Sequence, residues 1–311
     1  MSFRALLLLV LAVPALLLGA AQALGARIPV PVLGRDYVVR LDLAQAPAPL
    51  VLPSVAGSAD PALPLVVIDP GHGGRDPGAS GGGVREKDLV LAMGLGLRKL
   101  LLEAGGIRVA MTREDDRLIS LVERMEIARR LEADLFISIH ADSAGQSSDV
   151  SGASVYTLSN EASSEAAARF AARENSADRL NGVVVEDTSD IVNQVLVELS
   201  QGRTQDQSSE FAELIVREGE GRIAFHPSAR RSAALAVLRA PDVPAVLFES
   251  GFVTSREDRA KLTTEEGRAA YADVLARAIR VYLARRSDVE ALDTARIGST
   301  SGRGASLAGA R

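Results

Sequence analysis

Leu63-Pro64-Leu65-Val66-Val67-Ile68-Asp69-Pro70-Gly71-His72-Gly73-Gly74 is an apolar run that breaks at Asp-Pro-Gly and hands over to a glycine-rich turn with one of the chain's three histidines. Apolar residues in continuous sequence, rather than in alternation, predict an inner strand covered on both faces. The glycines of the turn leave room beside His72 for a close approach to its imidazole. The carboxyl end of such a strand is where open α/β sheets keep their ligands. Standing alone, His72 could equally be a histidine that caps a turn.

Outward from this stretch the pattern alternates between strand and helix. A strongly apolar helix is predicted over 86–104, ending at Gly105-Gly106, then a strand over 107–112. A second helix over 120–131 starts at an N-cap serine, Ser120, with Glu123 three residues on. Asp134-Leu-Phe-Ile-Ser-Ile-His140 is the next buried strand, and it too delivers a histidine at its carboxyl end. Short strands follow at 152–158, 235–239 and 245–249, with a last helix over 265–285. The expected fold is α/β: a mostly parallel twisted sheet of about six strands with helices on both faces. Residues 160–222 are polar and helical in propensity and interrupt this alternation as an inserted segment.

The two ends differ from the core. Residues 1–23 combine Arg4, an apolar stretch over 5–18 and small residues around Gln22, the pattern of a secretory signal peptide. The apolar stretch is shorter than the roughly 20 residues of a membrane span. Export, with no stable membrane insertion, is expected. Residues 24–62 read as an extended linker with a short alternating strand at 37–43, residues 63–285 as the working domain, and 286–311 as a disordered tail. The chain has no cysteine, so no disulfide holds it together. A net charge of −5, 4% aromatics and no tryptophan exclude the basic, aromatic-studded surface of a nucleic-acid binder. Nothing in the pattern calls for an obligate oligomer, and a monomer is expected.

Zinc hydrolases present three protein ligands, usually histidine and carboxylate, with a further position for water. His72 and His140 end two strands, and Glu86 stands where the glycine loop gives way to the first helix. Each has a structural alternative: Glu86 as a first-turn charge favoured by the helix dipole, His140 as a buried, hydrogen-bonded strand terminus. Their combination favours one metal ion per chain. Glu249 closes the apolar strand Ala245-Val-Leu-Phe-Glu249. A charge there needs a partner or a task, and it suits a general base for a metal-activated water; the alternative is a salt bridge to an arginine.

Several motifs together carry a family resemblance: Asp69-Pro-Gly-His-Gly-Gly-Arg-Asp-Pro-Gly-Ala79, Arg85-Glu-Lys87, Met111-Thr-Arg113, Phe136-Ile-Ser-Ile-His-Ala-Asp142, Val237-Leu-Arg-Ala-Pro-Asp-Val-Pro244 and Glu249-Ser-Gly-Phe252. In this order they resemble the zinc-dependent N-acetylmuramoyl-L-alanine amidases, most of all the periplasmic cell-division amidases of Gram-negative bacteria. The resemblance implies His72, Glu86 and His140 as zinc ligands, Glu249 as the catalytic glutamate and peptidoglycan as substrate. It also implies a helical segment that covers the site until a LytM-type activator moves it; residues 181–200 are the expected counterpart, with Glu186 as the blocking acid. His226, in Ala224-Phe-His-Pro227, is expected to be structural or to touch substrate. Arg129, Asp142 and Ser255 stand where the family often has asparagine, and 24–62 is too short for a complete wall-targeting domain. A zinc peptidase or carboxypeptidase acting on stem peptides, and a silent wall-binding protein, are the alternatives; retention of all four site residues argues against the latter.

Overall fold

Leu65–Pro70 forms strand β1, and all six of its residues are buried. The computed structural model describes residues 50–143, 145, 150–180 and 194–305; the leader, the short strand at 37–43 and Glu186 lie outside them. After β1 come a two-residue hairpin, β2 (Ser80–Gly81) and β3 (Val84–Arg85), then helix α1 (Glu86–Ala104), β4 (Arg108–Met111), α2 (Leu121–Arg130) and β5 (Leu135–Asp142). The chain continues through β6 (Ala153–Leu158), α3 (Glu165–Asn175), α4 (Ala177–Leu180), α5 (Gln194–Gly219), β7 (Phe225–Ala233) and β8 (Ala245–Phe252). Helices α6 (Arg256–Leu262) and α7 (Glu265–Ala305) complete it.

The main sheet has the order β4-β1-β5-β8-β6-β7, and every pairing is parallel except β6 against β8. The expected mostly parallel, six-stranded α/β architecture is therefore present. Strand side chains alternate between faces. Val66 and Ile68 pack with Leu97 and Leu101 of α1, Phe211 of α5 and Tyr282 of α7. Leu65 and Val67 pack on the other face with Ile127 of α2 and Phe170 of α3. Burial of each such side chain contributes about 1.5–3 kcal/mol. Helix α1 starts and stops where expected, and α2 begins with a complete capping box between Ser120 and Glu123.

Three expectations meet a different structure. Residues 235–239 do not form a strand: Ala236–Leu238 is a 3-10 turn, and the sheet is completed by β7. As an edge strand with half-exposed residues, β7 has no need of an apolar run. The segment 160–222 is not wholly an insertion, because Phe211, Leu214 and Ile215 of α5 are core residues and Phe211 stacks against Tyr282 with ring centroids 5.3 Å apart. Helix α7 continues to Ala305, past the expected end at 285; Asp288-Val-Glu-Ala-Leu-Asp-Thr-Ala-Arg296 is rich in helix formers although it lacks an apolar stripe.

Below the His72 turn lies a buried polar knot. Asp69 accepts from Arg124 (2.6 Å), Thr112 Oγ1 (2.6 Å) and Ser138 Oγ (2.7 Å). Burial alone would raise the Asp69 pKa, but Arg124 and the two hydroxyls more than offset it and hold it below the usual value of 3.8. Asp69→Ala is expected to cost about 3–5 kcal/mol at pH 7, because it leaves Arg124 buried without its partner. A depressed native pKa stabilises above the unfolded value and ceases to do so as pH falls through the native one. Urea unfolding should accordingly show the deficit shrinking progressively below about pH 4; an equal deficit at pH 7 and pH 3 would rule out the ionised pair as its source.

Candidate metal centre

His72 adopts a left-handed backbone, φ 57°, which is rare outside glycine and must be held by its surroundings. Two arginines hold it. Arg113 donates to the carbonyls of Pro70 (2.9 Å) and Gly71 (2.7 Å), and Arg124 to those of Pro70 (2.8 Å) and His72 (2.7 Å). Gly71 is required by contact, since a Cβ there would stand 2.4 Å from the His140 ring. Gly78 (φ 65°) is required for the same reason against Glu86 and His72, at 2.6 Å. The two imidazoles meet edge to face with centroids 4.8 Å apart.

Glu86, the first residue of α1, reaches both histidines. Its Oε1 accepts from the Ala141 amide (2.8 Å) and lies 3.0 Å from His140 Nδ1; its Oε2 accepts from the Ala79 amide (2.7 Å) and lies 3.1 Å from His72 Nε2. Asp76 Oδ2 is 2.9 Å from His72 Nδ1 and fixes that ring from behind. Glu174, at the end of α3, brings Oε2 within 3.7 Å of His72 Nε2 and 3.6 Å of His140 Nδ1. His72, His140 and Glu174 each offer a ligand atom within 4.8 Å of the others. His72 Nε2 is buried and, despite its closeness to Glu86, lacks hydrogen-bond geometry to any described group. A buried nitrogen left unbonded and aimed among carboxylates is what a cation site of the His/carboxylate type requires, and the donor set suits zinc.

Beside this set, Glu249 stands opposite His140 in the β5–β8 register. It is buried, and neither carboxylate oxygen has a hydrogen-bond partner among the described residues. Burial pushes its pKa well above the carboxylate range, and the charges of Asp142, Glu86 and Glu174 add to this, with Arg173 opposing. Asp142, paired with Arg173, is raised to about 6, mainly by burial. For His72, burial alone would lower the pKa; the charge of Glu86, the bond to Asp76 and the charge of Glu174 overcome it and raise the pKa well above 6.5. Glu86 is held well below its usual value by the two histidines, in spite of its burial.

The structure thus brings together His72, Glu86, His140 and Glu249, and it adds Glu174. A signal for Glu174 exists: Ala167, Phe170 and Ala171 form the buried stripe of α3, and Glu174 continues that stripe at helical spacing, a carboxylate on an apolar face. His226 is not in the cluster; it lies on β7, where its Nδ1 accepts from the Ser228 amide (2.9 Å) and Arg231 (2.7 Å).

Residues 66–281 match the Amidase_3 family, described as N-acetylmuramoyl-L-alanine amidase. The chain belongs to this family. It is 36% identical over 230 residues to the amidase AmiC of Escherichia coli O6:H1, covering 73% of this chain and 55% of that relative. It is 39% identical over 220 residues to AmiA of Escherichia coli K12, covering 70% of this chain and 75% of the relative. The chain thus spans about half the length of the AmiC relative. Among solved structures, AmiC2 of Nostoc punctiforme superposes with a TM-score of 0.53 at 31% identity, over 71% of this chain and 97% of that one. The Amidase_3 sheet is thus the platform on which the donor set is built.

Metal loading of this Amidase_3 site should be pH-dependent. A ligating imidazole must be neutral, whereas the charges of Glu86 and Glu174 and the bond to Asp76 favour the protonated form of His72 against its burial. Calorimetric zinc titrations in buffers of differing ionisation enthalpy should show about one proton released per ion bound at pH 7, and affinity should rise with pH. Proton-neutral binding at pH 7 would contradict the assignment of His72.

Proposed function

We propose that this chain is a zinc-dependent peptidoglycan amidase that cleaves the amide between the lactyl group of N-acetylmuramic acid and the L-alanine of the stem peptide. The observation that carries this reading is the unpartnered, buried Glu249 beside the His72–Glu86–His140 donor set. Those three residues would hold one zinc ion, which supplies Lewis acidity and a water reactive at neutral pH. Glu249 takes a proton from the attacking water as oxygen bonds to the carbonyl carbon. When the carbon–nitrogen bond breaks, Glu249 passes that proton to the departing L-alanine nitrogen, and the remaining proton of the new lactyl carboxyl group goes to the freed amine, giving carboxylate and ammonium. Asp76 and the two backbone amides on Glu86 keep the donor atoms oriented throughout.

Glu174 takes the blocking role in this reading. Its carboxylate stands where substrate or a further ligand would enter, and α3 carries it across the site. Arg173, the neighbouring residue, ties α3 to Asp142. Withdrawal of Glu174 also removes one of the negative charges that raise the Glu249 pKa, so opening the site and readying the base are one event. A LytM-type activator that moves the segment after α3, and a periplasmic location where peptidoglycan is within reach, complete the proposal. No described helix is long and apolar enough to cross a membrane.

Digestion of purified sacculi, with products identified by mass, should yield free stem peptides beginning with L-alanine; shortened peptides would mark a peptidase instead. Glu249→Gln should lower turnover by at least about 10³-fold while zinc content is unchanged. Loss of zinc together with activity would make Glu249 a ligand. Glu174→Ala should raise basal turnover, on the order of tenfold or more; unchanged activity in a folded, zinc-loaded protein would refute the block.

A further inference from the structure

Edge strand β7 carries a cation that the reaction above does not use. Arg231 is half-buried, yet its guanidinium meets only neutral acceptors: the Ser228 carbonyl from Nε (3.0 Å), the Tyr156 hydroxyl from Nη1 (3.0 Å) and His226 Nδ1 from Nη2 (2.7 Å). It also lies over the Tyr156 ring, 5.8 Å from its centroid. No carboxylate pairs with it among the described residues, whereas its neighbour Arg230 has Glu213. A charge drawn partly out of water without a counter-ion is costly, and an anionic ligand would offset that cost.

The topology places this cation beside the catalytic centre. Because β6 runs against β8, Ser154 lies opposite Glu249, and Tyr156 lies opposite both Leu247 and Arg231. Leu247 and Glu249 are two residues apart on one strand, so Glu249, Tyr156 and Arg231 share a face of the sheet. Strand β7 is two strands from β8, roughly 10 Å at the usual spacing, a distance that a few peptide residues span. His226 extends the surface. The β6–β7 register shifts between Ala153 and Val155, so alternation does not carry over this part of β7; the 2.7 Å contact of His226 Nδ1 with Arg231 Nη2 is what sets the imidazole beside the guanidinium. With Nδ1 accepting two hydrogen bonds, the ring proton sits on Nε2, a donor without a partner among the described residues. Burial and Arg231 lower the His226 pKa, which keeps the ring neutral near pH 7.

We infer that Arg231 and His226 form a carboxylate subsite that holds a free carboxylate of the stem peptide while the bond beside Glu249 is hydrolysed. The inference rests on the amidase reading, and it follows from the substrate's charge distribution: the glycan is neutral there and the peptide carries the carboxylates. The guanidinium's remaining N–H groups and the imidazole N–H present adjacent donors to one anion.

The test uses the full chain, zinc-loaded, with and without Glu174→Ala, on two soluble muramoyl peptides that differ only in whether the peptide carboxylates are free or amidated. Arg231→Gln and His226→Ala should each raise KM for the free-carboxylate substrate about tenfold, with kcat within about twofold and the amidated substrate unaffected. Arg231→Lys, which keeps the charge, should restore part of the preference. Zinc content and melting temperature monitor folding. Equal losses on both substrates, or a preference that survives both substitutions, would overturn the subsite. Failure of both the unsubstituted chain and its Glu174→Ala variant, zinc-loaded, to cleave either peptide would instead overturn the amidase reading itself.

Discussion

The buried ion pair between Asp69 and Arg124 is the constraint on which the site depends. Arg124 neutralises Asp69 with one part of its guanidinium and holds the carbonyls of Pro70 and His72 with the rest. Arg113 does the same for Pro70 and Gly71, and its own pKa is lowered to about 10 by burial and by the charge of Arg124 beside it. Two adjacent cations with one buried carboxylate would be costly in an apolar core. Here the carbonyl oxygens of the turn complete their solvation, so stabilising the arginines and shaping the turn are a single act.

At the sheet's carboxyl edge the balance has the opposite sign. Glu86, Asp142, Glu174 and Glu249 crowd around two imidazoles, with Arg173 as the cation that α3 brings. Burial and the neighbouring carboxylates raise Asp142 and Glu249, the carboxylates raise His72 against its burial, and the two imidazoles hold Glu86 down. A divalent ion bound there would relieve the crowding of carboxylates, and Glu249, with neither oxygen hydrogen-bonded among the described residues, is the acid left over for the proposed role of base.

Much of this was legible in the sequence, and the limits have physical causes. Continuous apolar runs ending in His or Glu identified β1, β5 and β8, because strands covered on both faces leave no ambiguity of pattern. Capping chemistry placed α2 to within a residue. Strand β7 escaped because Phe-His-Pro-Ser-Ala-Arg-Arg-Ser-Ala has one side open to water and carries polar groups with tasks of their own. Glu174 escaped because its signal is a single carboxylate at the end of a short apolar stripe, in a segment that holds several other acids, Glu186 among them. The core role of α5 was hidden because Phe211, Leu214 and Ile215 stand in a helix whose average character is polar.

The parallel pairing of β6 with β7 dictates where the chain between them must run. Two parallel neighbours oblige the chain to travel back to its starting edge between them, and that edge is the one with the donor set. The return path must therefore pass near the cleft whatever its length or composition. Helices α3 and α5 lie on this path and are packed into the two core faces through Phe170 and Phe211, so the connection that borders the donor set is held by the same core as β1, β5 and β8.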